Sequence, residues 1–98
     1  MYYVKVHEVD GDRIVAACDK ELLGKSLSEG EIMFEVSRSF YGDRLVDETT
    51  LLTELDSATI ANLVGNKTIQ TAVDNGIIGA ENVITIAGVK HAQIISVQ

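Results

Sequence analysis

Proline is absent from these 98 residues, where average usage of about 5% would supply about five. Every turn therefore rests on Gly, Asn, Asp or Ser, and no prolyl isomerisation limits refolding. Cysteine occurs once, at Cys18, which excludes an internal disulfide and fits a reducing compartment. Cys18, His7 and His91 lie far apart in the chain and no Cys-x-x-Cys pair exists, so the ligand set of a zinc site is missing and no metal or other cofactor is expected. Basic residues are few: eight Lys and Arg stand against fifteen Asp and Glu, a net charge of −7. The cations Lys5, Arg13, Lys20, Lys25, Arg38, Arg44, Lys67 and Lys90 are scattered singly. Phosphate neutralisation needs cations gathered on one face. General nucleic-acid binding is therefore not expected, while a local contact to RNA or to a basic protein surface stays open. The surplus of acid serves solubility.

Long hydrophobic runs are missing too. No stretch approaches the roughly 20 apolar residues of a membrane span. The opening Met1-Tyr2-Tyr3-Val4-Lys5-Val6 lacks the basic and then apolar pattern of a secretory signal. A soluble, cytoplasmic protein without a membrane partner is the expectation. Motifs of covalent and phosphate chemistry fail as well. There is no Gly-x-Ser-x-Gly elbow. Gly24-Lys25-Ser26 matches only the tail of a phosphate-binding loop, and Asp19 stands where the first glycine belongs, a carboxylate that would repel phosphate.

What is present is an ordinary globular chain. Its hydrophobic fraction of 46% and its length suit one domain, residues 1–98, large enough to stand without a staple. Residues 2–8 alternate, with Tyr2, Val4 and Val6 on one side and Tyr3, Lys5 and His7 on the other, which predicts a strand with one wet face. Asp10-Gly11-Asp12 signals a hairpin. The return strand, Arg13 to Cys18, is apolar on both sides and belongs in the sheet interior. Asp19 and Gly24 read as the caps of one helical turn carrying Leu22 and Leu23, and residues 26–30 as a connector. Glu31 to Ser37 alternates again, with Ile32, Phe34 and Val36 inward. Arg38 to Asp43 reads as a turn.

The middle reads as helical. Asp47 or Thr49 caps a helix with Leu51, Leu52 and Leu55. Asp56-Ser57 caps a second, where Ile60, Leu63 and Val64 fall at i, i+3, i+4. Gly65-Asn66 opens a third, with Ile69, Ala72 and Val73, which Asn75-Gly76 ends. Strands at 83–87 and 92–97 close the chain, joined by a turn that carries Lys90, His91 and Gln93. Segregation of strands, helices and strands predicts an α+β fold: a mainly antiparallel sheet covered on one face by two or three short helices.

The run from Ile86 to Ile94 is the best place for a site, since Lys90, His91 and Gln93 put a cation, a titratable ring and an amide within four residues. His91 either serves a ligand or satisfies a turn carbonyl. Phe40 and Tyr41 before Gly42 put at least one ring near the surface of an extended segment, where aromatics anchor interfaces. Asn62, read on the second helix, needs partners if buried, and the region of His91 is the natural place for them.

Four runs taken together resemble a family catalogued as domain of unknown function 424. They are Ala17-Cys18-Asp19-Lys20-Glu21-Leu22-Leu23-Gly24, Ser39-Phe40-Tyr41-Gly42, Thr59-Ile60-Ala61-Asn62-Leu63-Val64-Gly65 and Gly88-Val89-Lys90-His91-Ala92-Gln93. They occur in order over nearly the whole chain. Lys90 stands where the family pattern has proline. The resemblance implies an archaeal cytosolic protein, linked to translation factors, with no established activity. It draws attention to Phe40, Tyr41, Gly42, Asn62, Gly65, His91 and Gln93.

Two functions of different classes suit these residues. The first is a non-catalytic binding module for a protein or ribonucleoprotein surface, with Phe40 and Tyr41 as anchors and Asn62, Lys90, His91 and Gln93 as polar contacts. The second is an enzyme on a small metabolite, with His91 as general acid and base and a carboxylate such as Asp43 orienting it. The missing nucleophile, metal and phosphate signatures favour the first. The oligomeric state is not encoded in any of these patterns.

Overall fold

The structure, a computed structural model, describes residues 1–42 and 44–95. Strand β1 (Tyr2–Val9) turns through Asp10 and Gly11 into β2 (Asp12–Asp19). Both turn residues have positive φ, 49° and 85°, the geometry that matches strand twist in a two-residue hairpin. A short 3-10 turn, Lys20–Leu22, leads to a separate antiparallel hairpin, β3 (Ser26–Glu29) and β4 (Ile32–Glu35). Then come α1 (Arg38–Tyr41), β5 (Arg44–Val46), α2 (Glu48–Asp56), β6 (Ile60–Val64), α3 (Asn66–Asp74), a second 3-10 turn at Ala80–Asn82, β7 (Ile84–Ile86) and β8 (Val89–Ile95).

The main sheet has the order β5-β1-β2-β6-β8-β7. Every pairing is antiparallel except β2 with β6, which is parallel and sets Ile14 beside Ile60 and Cys18 beside Val64. The architecture is α+β with a mainly antiparallel sheet. The apolar stripes of α2 (Leu51, Leu55) and α3 (Ile69, Ala72) cover one sheet face, against Val4, Val15, Ala17, Ala61 and Leu63. The other face carries a second, smaller core. There Ala16, Cys18 and Val64 meet Val36, Tyr41, Leu22, Leu23, Leu27 and Phe34. This second layer covers only one end of its face. Val15, Ala16, Ala17 and Cys18 are all fully buried, as an interior strand apolar on both sides requires.

Several local readings change, and Ile32, expected inward, is exposed at the start of β4. Residues 60–64 form β6, not the end of a second helix. The spacing of Ile60, Leu63 and Val64 satisfies a helix, but the segment lies in the centre of the sheet, with one face under the helices and the other partly covered, and its apolar residues fall on both faces. The connector at 26–30 contains β3, and the turn after Arg38 is the short helix α1, capped by the Ser37 hydroxyl, which accepts from the Phe40 N–H at 3.2 Å. The C-terminal turn is only Ala87-Gly88, with φ of 52° and 78°. Lys90, His91 and Gln93 therefore sit in β8 and not in a turn. The predicted continuation of that strand through Ser96 and Val97, and the turn position Asp43, lie outside the described residues.

Asp19 does not cap the 3-10 turn that follows it. It reaches across the sheet to α3, whose N-terminal Gly65 has no side chain to do so. Its carboxylate accepts from the N–H of Lys67 at 3.2 Å, the N–H of Thr68 at 2.8 Å and the Thr68 hydroxyl at 2.7 Å. An anion at the positive end of a helix is favoured by the dipole as well as by these bonds. Asn66 makes a second tie. Its side chain accepts from the Lys90 N–H at 3.0 Å and donates to the Gly88 carbonyl at 3.4 Å. Together they hold the end of β6 and the start of β8 in place.

Candidate functional site

The half-covered sheet face contains a cleft of about 390 Å³ where the second layer stops. Strand alternation decides which side chains reach it. On β6 and β8, Asn62 pairs with Gln93 and Val64 with His91, and each pair shares a face. Ile84 pairs with His91 on the other side of β8 and joins them. Phe34 of β4 and Tyr41 of α1 close one flank, and Asn82 of the 3-10 turn stands at the rim with Ile84 and Ile86.

His91 is 6% exposed. Its ring meets Phe34 edge to face, with centroids 4.7 Å apart and planes at 85°. Its Nε2 is buried and has no hydrogen-bond partner among the described residues. An unmade bond of this kind costs about 1–3 kcal/mol, so such atoms are rare in folded proteins. Burial holds the imidazole below its ordinary pKa, and no neighbouring charge contributes to that shift. His91 is therefore neutral at physiological pH, with one ring nitrogen a donor and the other an acceptor. Behind it, burial pushes the Tyr41 phenol up to about 12, with a smaller contribution from Cys18, so the phenol stays protonated.

Of the seven residues read as binding candidates, the cleft gathers four: Tyr41, Asn62, His91 and Gln93. Asn62 is half-buried and Gln93 exposed, so solvent reaches both carboxamides. Lys90 is not with them. As the residue before His91 on a strand, it points to the helix face, where it lines a different depression with Ile69 and Gln70. Phe40 is half-buried outside the cleft, stacked on His7 with centroids 4.8 Å apart, while the His7 Nε2–H donates to the Phe40 carbonyl at 2.9 Å. Gly42 lets α1 sit close to Leu23, since a Cβ there would come within 2.9 Å of that side chain. Of the two adjacent aromatics, Tyr41 is the buried one. Phe34, Asn82, Ile84 and Ile86 were not singled out in the sequence. Phe34 had a signal, its inward phase on β4. Asn82 carries none, because only the tertiary register brings its 3-10 turn to the rim. Among the described residues no three His, Cys, Asp or Glu side chains gather as metal ligands, and no helix is long and apolar enough to cross a membrane.

Fold and cleft define a small α+β sheet protein with a ligand-sized recess in its half-covered face. The chain belongs to the family described as protein of unknown function (DUF424), whose model matches residues 7–97. This bears out the resemblance carried by the four sequence runs. The fold is similar to that of an uncharacterized conserved protein from Methanopyrus kandleri, known from its crystal structure. The TM-score is 0.83 at 18% identity, over 99% of this chain and 94% of that one. No curated protein matches the chain.

Proposed function

We propose that the protein is a non-catalytic binding module, and that its partner, a protein or ribonucleoprotein surface, places an uncharged group in the cleft beside His91. The observation that carries this reading is a recess large enough for a small ligand, about 390 Å³, lined by Asn62, Gln93 and His91 without a charged side chain among the described residues. The acidic exterior, net −7, suits a basic partner surface around the inserted group. A cytoplasmic location and the company of translation factors belong to the same proposal.

Acid–base catalysis by His91 is the weaker reading. An imidazole poised for proton transfer has a value near the working pH and a group that orients it. Here burial is the only cause of the shift, and it lowers the value. Asp43, the carboxylate considered for orientation, lies outside the described residues.

Titration of isotopically labelled protein with benzamide, benzoate and benzylammonium, followed by NMR, tests the reading. Benzamide is expected to shift the side-chain amides of Asn62 and Gln93 and the His91 ring saturably, and the two charged probes to act more weakly. Stronger response to a charged probe, or responses scattered away from the cleft, would refute it.

A further inference from the structure

The cleft wall is mainly apolar, and its few polar groups are carboxamides rather than charges. Asn62, Asn82 and Gln93 supply three, His91 adds a neutral imidazole, and among the described residues no Lys, Arg, Asp or Glu lines the recess. Phosphate and carboxylate ligands call for cationic donors, and ammonium ligands for carboxylates or an aromatic cage. Neither is provided. A carboxamide presents a donor and an acceptor side by side, the pattern complementary to the edge of a nucleobase.

The spacing agrees with that chemistry. Asn62 and Gln93 are direct partners across β6 and β8, which puts their Cβ atoms about 5 Å apart. His91 precedes Gln93 by two positions on the same strand, about 7 Å away on the same face. A flat two-ring heterocycle bridges that distance, with one edge on the carboxamides and another against the His91 ring. Phe34 and Ile84 offer apolar surface to its faces.

We infer that the cleft takes a nucleobase, bound by its hydrogen-bonding edge and ring face without phosphate contacts. This rests on reading the recess as a binding site. The source is a free nucleoside or an unpaired base in RNA. The net charge of −7 repels a polyanion and favours the nucleoside.

Calorimetric and NMR titrations with adenosine, guanosine, cytidine and uridine, their 5′-monophosphates and a single-stranded oligoribonucleotide test it. At least one nucleoside is expected to bind saturably and shift the Asn62, Gln93 and His91 signals, with its monophosphate no tighter. Asn62→Ala and Gln93→Ala should each weaken binding about tenfold, the effect of one lost hydrogen bond. Gln93→Glu keeps shape at an exposed position and exchanges a donor for an acceptor, so it should change which base is preferred. Tighter binding of the oligonucleotide, with the same loss in the alanine variants, makes RNA the source; tighter binding of the nucleoside makes it the free ligand. No saturable nucleoside response up to about 10 mM overturns the inference, since affinity weaker than that carries little specificity. Affinity unchanged in both alanine variants overturns it equally. Benzamide binding without a nucleoside response sinks this inference alone, and silence toward both sinks the cleft reading with it.

Discussion

The carboxylate of Asp19 occupies the space that any side chain at Gly65 would need. Gly65 also has a φ of +122°, a region that L side chains rarely adopt. One close contact thus joins the end of β2 to the start of α3.

Breaking it should be costly from either side. Asp19→Ala removes a cap and leaves the buried Thr68 hydroxyl unpaired, an expected loss of about 2–3 kcal/mol. Gly65→Ala adds backbone strain and a clash, at least about 2 kcal/mol. Urea unfolding of both variants measures this. Wild-type stability in either one contradicts the account.

Stability should fall with acid in a window set by His91. The unfolded imidazole protonates near 6.5, while burial depresses the folded value. The unfolded chain therefore binds a proton first, and the contribution of neutral His91 is full above about 6.5 and is lost as pH falls toward the folded value. The urea midpoint is expected to start dropping as pH falls below about 7, before most carboxylates titrate. His91→Phe should flatten that drop. Parallel profiles for the two proteins would show that His91 is not its source.

The Cys18 thiol should be inert in the folded protein. It is fully buried, and burial, with Asp19 and Glu21 nearby, pushes it up to about 12. The thiolate is the reactive form. Iodoacetamide is expected to leave native protein unmodified at about pH 8 and to alkylate it fully in denaturant. Rapid native labelling would place the sulfur nearer to solvent than it is here.

Lys90→Pro tests the tie between Asn66 and the start of β8. The Lys90 N–H donates to Asn66 Oδ1, a bond proline cannot make. A loss of about 1–2 kcal/mol is expected. Asn66→Ala in the proline background should then add less than it does alone, which a double-mutant cycle in urea reads directly. Strict additivity would mean that the two residues do not share this bond.

Much of this was legible in the chain. The β1–β2 hairpin follows from alternation around Asp10-Gly11, and α2 and α3 from their caps and apolar stripes. The site was partly legible: Tyr41, Asn62, His91 and Gln93 share the cleft. Two kinds of information were missing. Ile60-Ala61-Asn62-Leu63-Val64 is short and carries apolar residues on both faces, so they suit either period. The end of the last turn also mattered. Because it stops at Gly88, strand phase separates Lys90 from His91, and a single cation leaves the site. Phe34 was legible only as an inward residue of its strand, and Asn82 enters through tertiary register alone.

The parallel seam between β2 and β6 also divides the chain by origin. On one side lie β5, β1 and β2, from the first half of the sequence; on the other lie β6, β8 and β7, from the second. Phe34 and Tyr41 come from the first half, and Asn62, His91 and Gln93 from the second. Whatever settles between them rivets two complementary fragments together, so occupancy and cohesion of the halves must rise and fall as one quantity.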